Sequence, residues 1–197
     1  MDHAARITIL IEECLSASGF RPADLQAISI SAGPGSYTAL RIGTSVAKGM
    51  CYALGIPLIA VDTLASLATA ATRALGITNA IVVPMIDARR MEVYTAYYDT
   101  EGKTISPLHS LIVETDTFKV YLEAGRQLIL TGNGAEKCKS VLPDTDSLQY
   151  YPLTCSALHL VSLAREKYLQ QDFANLVGFT PEYCKLPNIT TPKKLFS

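Results

Sequence analysis

Between Ser31 and Gly43 the chain reads Ser-Ala-Gly-Pro-Gly-Ser-Tyr-Thr-Ala-Leu-Arg-Ile-Gly, the stretch whose residue types and spacing come nearest to chemistry. Gly33 and Gly35 permit backbone angles that a β-carbon forbids. Pro34 fixes a dihedral between them, and Ser36 or Thr38 can cap a following helix. An apolar run from Ala27 to Ile30 precedes the turn and helical periodicity follows it, so the stretch reads as strand, turn, helix. Two readings are open. N–H groups gathered at such a turn, with the helix dipole, favour an anion, which makes Gly35, Ser36 and Thr38 candidate phosphate contacts. The other reading is a well-capped turn that supports α/β packing.

The familiar nucleotide signatures do not fit. A P-loop closes on Gly-Lys-Ser/Thr, whereas Lys48 lies well inside the helix. A dinucleotide fingerprint needs a third glycine where Thr38 stands, although Asp62 sits roughly where a ribose-binding acid would. Ser36 and Thr38 have no histidine near them in sequence, and there is no Gly-x-Ser-x-Gly elbow. Asp62, Asp87 and Glu92 could approach one another in the fold, yet each has a simpler role. Asp62 can cap a helix, Asp87 can sit in a hairpin turn, and Glu92 can form a surface ion pair with Arg89, worth at most about 1 kcal/mol. The histidines (His3, His109, His159) and the five cysteines are widely spaced, without ligand spacing, so no metal site is expected. The cysteines read as reduced thiols, mostly in the core.

The 197 residues can bury about 70% of their unfolded surface, enough for one large domain or two small lobes. Charged residues make up 18% and apolar ones 49%, with a mean hydropathy of +0.22, so part of the apolar surface is expected to face a partner. The two longest uncharged runs, Gly49 to Val61 and Ala74 to Ile86, are each 13 residues, short of the roughly 20 that a spanning helix needs. No signal peptide is visible in the first residues, and a cytoplasmic protein is expected. Net charge is −1, and Arg89-Arg90 and Lys193-Lys194 are the Lys/Arg clusters, which argues against tight nucleic-acid binding by this chain alone.

These residues must be positioned by alternating elements. An amphipathic helix spans about 5–15, ended by Gly19, with Ile9 off its main stripe. A strand at 27–31, a helix over about 40–54, a strand at 58–61 and a helix capped by Thr63 follow, giving αβαβα for residues 1–77. Gly43, Ala47 and Gly49 are small enough to let another helix approach the second helix closely. Residues 78–197 begin with strands at 80–86 and 92–98, joined by a charged turn at 87–90, and a third at about 107–113. Helices near 117–124, 135–141 and 156–169 alternate with strands at 127–130 and 148–151, giving βββαβαβα and a tail that loosens beyond Pro187. The two portions share one topology, except that the first lacks three leading strands. That implies an α/β, ribonuclease-H-like duplicated fold of the actin/sugar-kinase/Hsp70 (ASKHA) kind.

Gly33 to Gly43, followed by Ala47-Lys48-Gly49 and Leu54-Gly55-Ile56-Pro57, closely resembles the signature of the TsaB (YeaZ) family. So do Val61-Asp62-Thr63-Leu64, Ile86 to Tyr94, Gly132-Asn133-Gly134 and the Thr180 to Lys185 segment. Ala39 departs from the glycine usual there. Members of that family are accessory subunits in making threonylcarbamoyladenosine beside the tRNA anticodon. The resemblance implies a non-catalytic subunit whose two helices form an apolar platform for the catalytic TsaD, with Ile9, Glu12, Gly33, Pro34, Gly35, Ser36, Tyr37, Thr38, Arg41, Ile42, Ala47 and Met50 at the interface. Arg41 is the candidate polar contact. ATP and a metal would sit in the partner, the TsaE ATPase would complete the complex, tRNA would be met through the complex, and a homodimer could use the same surface. The catalytic paralogue's His-x-x-x-His pair has no counterpart here. The alternatives are an ASKHA-type small-molecule kinase or ATPase, which calls for acidic residues on leading strands, and a peptidase, which calls for a metal pair or triad. Family members also begin with strands ahead of a helix whose start looks like His3-Ala4-Ala5-Arg6. Their absence here predicts an unpaired apolar edge on the strand at 27–31, covered by sequence upstream of a misplaced start or by another chain.

Overall fold

The computed structural model describes residues 3–185. Helix α1 (His3–Ser18) leads through a 3₁₀ turn at Pro22–Asp24 into β1 (Ile28–Ser31), α2 (Tyr37–Leu54), β2 (Leu58–Val61) and α3 (Thr63–Leu75). β1 and β2 pair in parallel, Ile28 opposite Leu58 and Ser31 opposite Val61. Two parallel strands need a crossover, and α2 supplies it. Its ends are set locally. Ser36 stands at the N-cap, and Gly55 closes the helix in the left-handed conformation (φ 65°) with its N–H on the Cys51 carbonyl.

The second half opens with the antiparallel strands β3 (Ile81–Asp87), β4 (Glu92–Tyr98) and β5 (Thr104–Ile112). Then come α4 (Lys119–Glu123), β6 (Leu128–Thr131), α5 (Ala135–Cys138), β7 (Leu148–Tyr151) and α6 (Ala157–Leu169). The sheet order is β5-β4-β3-β6-β7, with β6 parallel to both β3 and β7. β3 lies at its centre, with Ile81 to Ile86 all buried, as a strand covered on both faces must be.

Each sheet is covered by a helix from the other half of the chain. α3 sets Leu64, Leu67, Ala68 and Ala71 against Val82, Ile86, Ala96 and Tyr98 of the five-stranded sheet. α6 sets Leu160 and Ala164 against Ile59 and Val61 of the two-stranded one. This exchange ties the two cores together across position 77. β1 is paired along one edge only, and among the described residues no strand lies on the other. Beside that edge a groove of about 400 Å³ is lined by Ile30, Pro34, Leu40, Thr44 and Leu160.

The elements differ from the sequence reading at several ends. α2 begins three residues earlier, directly after Ser36, so Ser36 rather than Thr38 is its cap. Asp62, not Thr63, caps α3, because its carboxylate reaches the Ala65 N–H (2.7 Å) while Thr63 is already helical. α5 is a single turn. The expectation that most cysteines are in the core is corrected: all five are free thiols, but only Cys51 and Cys138 are buried, while Cys14 and Cys155 are exposed. The tail beyond Pro187 lies outside the described residues. Among the described residues no helix is long and apolar enough to cross a membrane.

Candidate functional site

The Gly33-Pro34-Gly35 turn leaves β1 and is held from both sides. The Ala32 N–H donates to the Val61 carbonyl (2.7 Å), and the Thr63 N–H donates to the Gly33 carbonyl (2.9 Å), so the turn is locked to the junction between β2 and α3. The hydroxyls of Ser31 and Thr63 bond to each other just beneath it. Asp62 is half-buried there, and its carboxyl is pushed above the ordinary carboxylate value by desolvation. The amides of Ala65 and Leu64 and the Tyr98 hydroxyl (3.4 Å), all favouring the charged form, limit the shift.

Above the turn lies the C-terminal segment, which the sequence reading did not place. The Ala174 N–H donates to the Leu58 carbonyl (2.9 Å), and Lys48 reaches out of α2 to the Val177 and Phe179 carbonyls (2.9 and 3.1 Å). The Glu182 N–H then donates to Ala32 (2.7 Å), and the Tyr183 ring stands 4.7 Å from that of Tyr37. Lys185 ends the segment on the Glu92 carboxylate. Gly33 and Pro34 are consequently buried, as is Ala47 within α2, so these three expected interface residues present no surface of their own. Ser36, Tyr37, Thr38 and Arg41 are exposed, with the Ser36 hydroxyl turned to the Ala39 amide (3.5 Å). Arg41 lies over the Tyr37 ring and donates to its hydroxyl (3.0 Å).

The turn delivers α2 to α1. The two helices enclose a groove of about 460 Å³, lined by Ile11, Glu12, Leu15, Phe20, Val46 and Met50. Nothing in α1 from Arg6 to Ser18 is buried. Ile9 is 52% exposed, Leu10 49% and Phe20 60%, and Tyr52 on α2 is 84% exposed. A β-carbon on Gly49 would meet no atom within 4 Å, so the exposed side of α2 is open at its smallest residue.

The hairpin turn between β3 and β4 departs from expectation in its charges. Glu92 pairs with Lys185 and not with Arg89, because the C-terminal segment brings the lysine to it, while Arg89 is held in the left-handed region (φ 72°) at the tip of the turn. Lys137 from α5 pairs with Asp87 and also donates to the Glu92 carbonyl (2.7 Å). Lys137 keeps the Asp87 carboxyl below its usual value, helped by the Arg89 N–H bond. The Gly132-Asn133-Gly134 loop packs on the end of β3, with the Gly134 N–H on the Met85 carbonyl (3.0 Å) and Asn133 accepting from the Asp87 N–H (3.1 Å). Asp62, Asp87 and Glu92 thus serve a cap, a turn and an ion pair. Among the described residues no group of three His, Cys, Asp or Glu could hold a metal ion.

Residues 1–193 match the family model described as "TsaD: tRNA N6-adenosine threonylcarbamoyltransferase". The Bacillus subtilis "tRNA threonylcarbamoyladenosine biosynthesis protein TsaB" is 28% identical over 193 residues, 94% of this chain and 80% of that protein. The Escherichia coli protein of the same name is 38% identical over 104 residues, 53% of this chain and 44% of its own length. The solved structure of YeaZ from Pseudomonas aeruginosa superposes with a TM-score of 0.76 at 27% identity, over 93% of this chain and 85% of its own. A mixed α/β fold of this kind, with the Gly33 to Gly43 turn leading into α2 and sequence similarity over nearly its whole length, places the chain in the TsaD family and, within it, in the TsaB (YeaZ) family.

Proposed function

We propose that this chain is a non-catalytic accessory subunit that docks on the catalytic TsaD and supports its threonylcarbamoylation of the adenosine beside the tRNA anticodon. The observation that carries the reading is α1: a helix containing Ile7, Ile9, Leu10, Ile11 and Leu15 that buries none of them within the chain. Water-facing aliphatic side chains on one helix, beside an open groove, gain roughly 25 cal/mol for each Å² of apolar area covered by a partner. Glu12 and Arg41 supply polar contacts at the margin, Ile42 and Met50 support the α2 side, and the buried turn sets where α2 begins. ATP and metal belong to the partner, TsaE completes the assembly, and tRNA is met in the complex. A homodimer would use the same helices in competition with TsaD.

The names of the relatives above support this reading. In the duplicated plan we infer for the fold, the β1–α2–β2–α3 unit is the counterpart of β6–α5–β7–α6, and among the described residues β3 to β5 have no counterpart in the first half. Calorimetric titration of TsaD from the same organism tests the docking. Ile9→Asp should weaken binding at least tenfold, about 1.4 kcal/mol. Val120→Asp, at an exposed site on α4, should leave it unchanged. Equal binding by all three proteins would remove α1 from the interface.

A further inference from the structure

The turn between β3 and β4 carries a feature that docking through α1 and α2 does not use. Arg89 (φ 72°) and Arg90 (φ 51°) are consecutive residues in the left-handed region, and both side chains are exposed. The tight turn is closed by the Glu92 N–H on the Arg89 carbonyl (3.2 Å) and the Ala88 N–H on the Glu92 carbonyl (3.0 Å). Asn-Gly or Gly-Gly adopts such a turn at lower cost, so two arginines at its tip are not explained by the turn.

Their guanidinium groups also lack a hydrogen-bonded carboxylate partner: Arg89 acts on Asp87 through space, and Arg90 has no ion pair among the described residues. The Asp87 carboxylate is taken by Lys137 and by the Arg89 N–H (2.8 Å), and the Glu92 carboxylate is taken by Lys185. Glu114 follows the Val113 N–H bond to Met91 of the same turn, yet among the described residues neither arginine has an ion pair with it or with any other carboxylate. Three cations (Arg89, Lys137, Lys185) thus act on the two carboxylates of Asp87 and Glu92, and Arg90 adds a fourth positive charge at the tip of the turn. Neither arginine lines the grooves described above, so the tip offers no cradle for a small anion. A convex pair of guanidinium groups suits a ligand that presents many phosphates in succession, where each contact is weak and several add.

We propose that Arg89 and Arg90 hold phosphodiester oxyanions of an RNA strand. The proposal rests on the reading above only in taking that RNA to be tRNA. The hairpin is tied to the turn ahead of α2 by the segment from Glu182, bonded to Ala32, to Lys185, paired with Glu92, with two residues between them and at most roughly 10 Å of extended chain. RNA held by a partner on α2 therefore lies within reach of it.

Fluorescence anisotropy with a labelled anticodon stem-loop RNA tests the proposal on the chain alone at about 20 mM salt, so its outcome does not depend on TsaD binding. The double variant Arg89→Gly/Arg90→Gly should lower affinity at least about tenfold. It should also reduce the slope of log K against log salt by about 1.4–1.8, for two phosphate contacts at about 0.7–0.9 each. Because glycine suits the left-handed backbone, the variant should melt no lower than the parent. Failure of the parent to bind RNA, unchanged affinity and slope in the variant, or a fall in melting temperature with the loss of binding would each overturn the proposal. So would competition by inorganic phosphate at constant ionic strength, which would point to a small-anion site. Failure of the parent chain to bind TsaD while it binds the RNA would instead overturn the accessory-subunit reading.

Discussion

Gly33 lies so close to the carbonyl oxygen of Glu182 that a β-carbon could not be placed between them, and the Glu182 N–H donates to Ala32 one residue earlier. The signature turn is therefore the floor on which the C-terminal segment rests. Gly33→Ala meets both that backbone and a φ of 105°, and should destabilise the chain by about 2–4 kcal/mol in urea denaturation. Gly35→Ala, whose added carbon would stand 3.6 Å from Leu40, should cost less than about 1 kcal/mol.

Gly49 separates stability from docking. Glycine inside a helix costs about 1 kcal/mol relative to alanine, and a β-carbon there meets nothing. Gly49→Ala should raise the melting temperature of the isolated chain. Gly49→Leu should leave the chain folded yet weaken its titration into TsaD, because it fills the space a partner helix would enter.

The raised pKa of Asp62 gives stability a pH dependence of definite sign. A carboxyl whose folded value lies above its unfolded value, about 3.9, contributes stability that is fully present below that pH and is lost as pH rises through the folded value. Asn is as good a cap, so Asp62→Asn keeps the bond to Ala65 and removes the charge. Denaturation midpoints of the variant, relative to the parent, should improve from about pH 4 towards neutrality.

Glu92 acts in the opposite sense. Its pKa is lowered, chiefly by the bond from Lys185, so the tie is present above the unfolded carboxylate value and is lost as pH falls through the folded one. Lys185→Met, or acidification below about pH 4, should lower the protection factor of the Glu182 amide, taken against intrinsic exchange at the same pH, while leaving the β6 amides protected.

Much of the fold was legible because its signals are local. Gly55 after α2, Ser156 before α6 and the β-rich runs on either side of 87–90 mark their own boundaries. The site was legible in its turn and helices, since these follow from glycine, proline and apolar spacing. What escaped were contacts between residues far apart in sequence. Nothing near Lys48 indicates that it will hold Val177 and Phe179, and nothing near Glu92 favours Lys185 over the adjacent Arg89. Arg89 itself reads as an ordinary turn residue, because left-handed backbone at an arginine leaves no sequence signal. The choice of Asp62 over Thr63 as cap turned on one residue of helix register, which periodicity does not resolve.

Size-exclusion chromatography with light scattering, on the 197-residue chain alone and mixed with TsaD from the same organism, tests the central claim most directly. A stable mixed complex that Ile9→Asp disperses is the predicted result. A folded chain that runs unchanged beside TsaD, with no mixed species at any ratio, would contradict it.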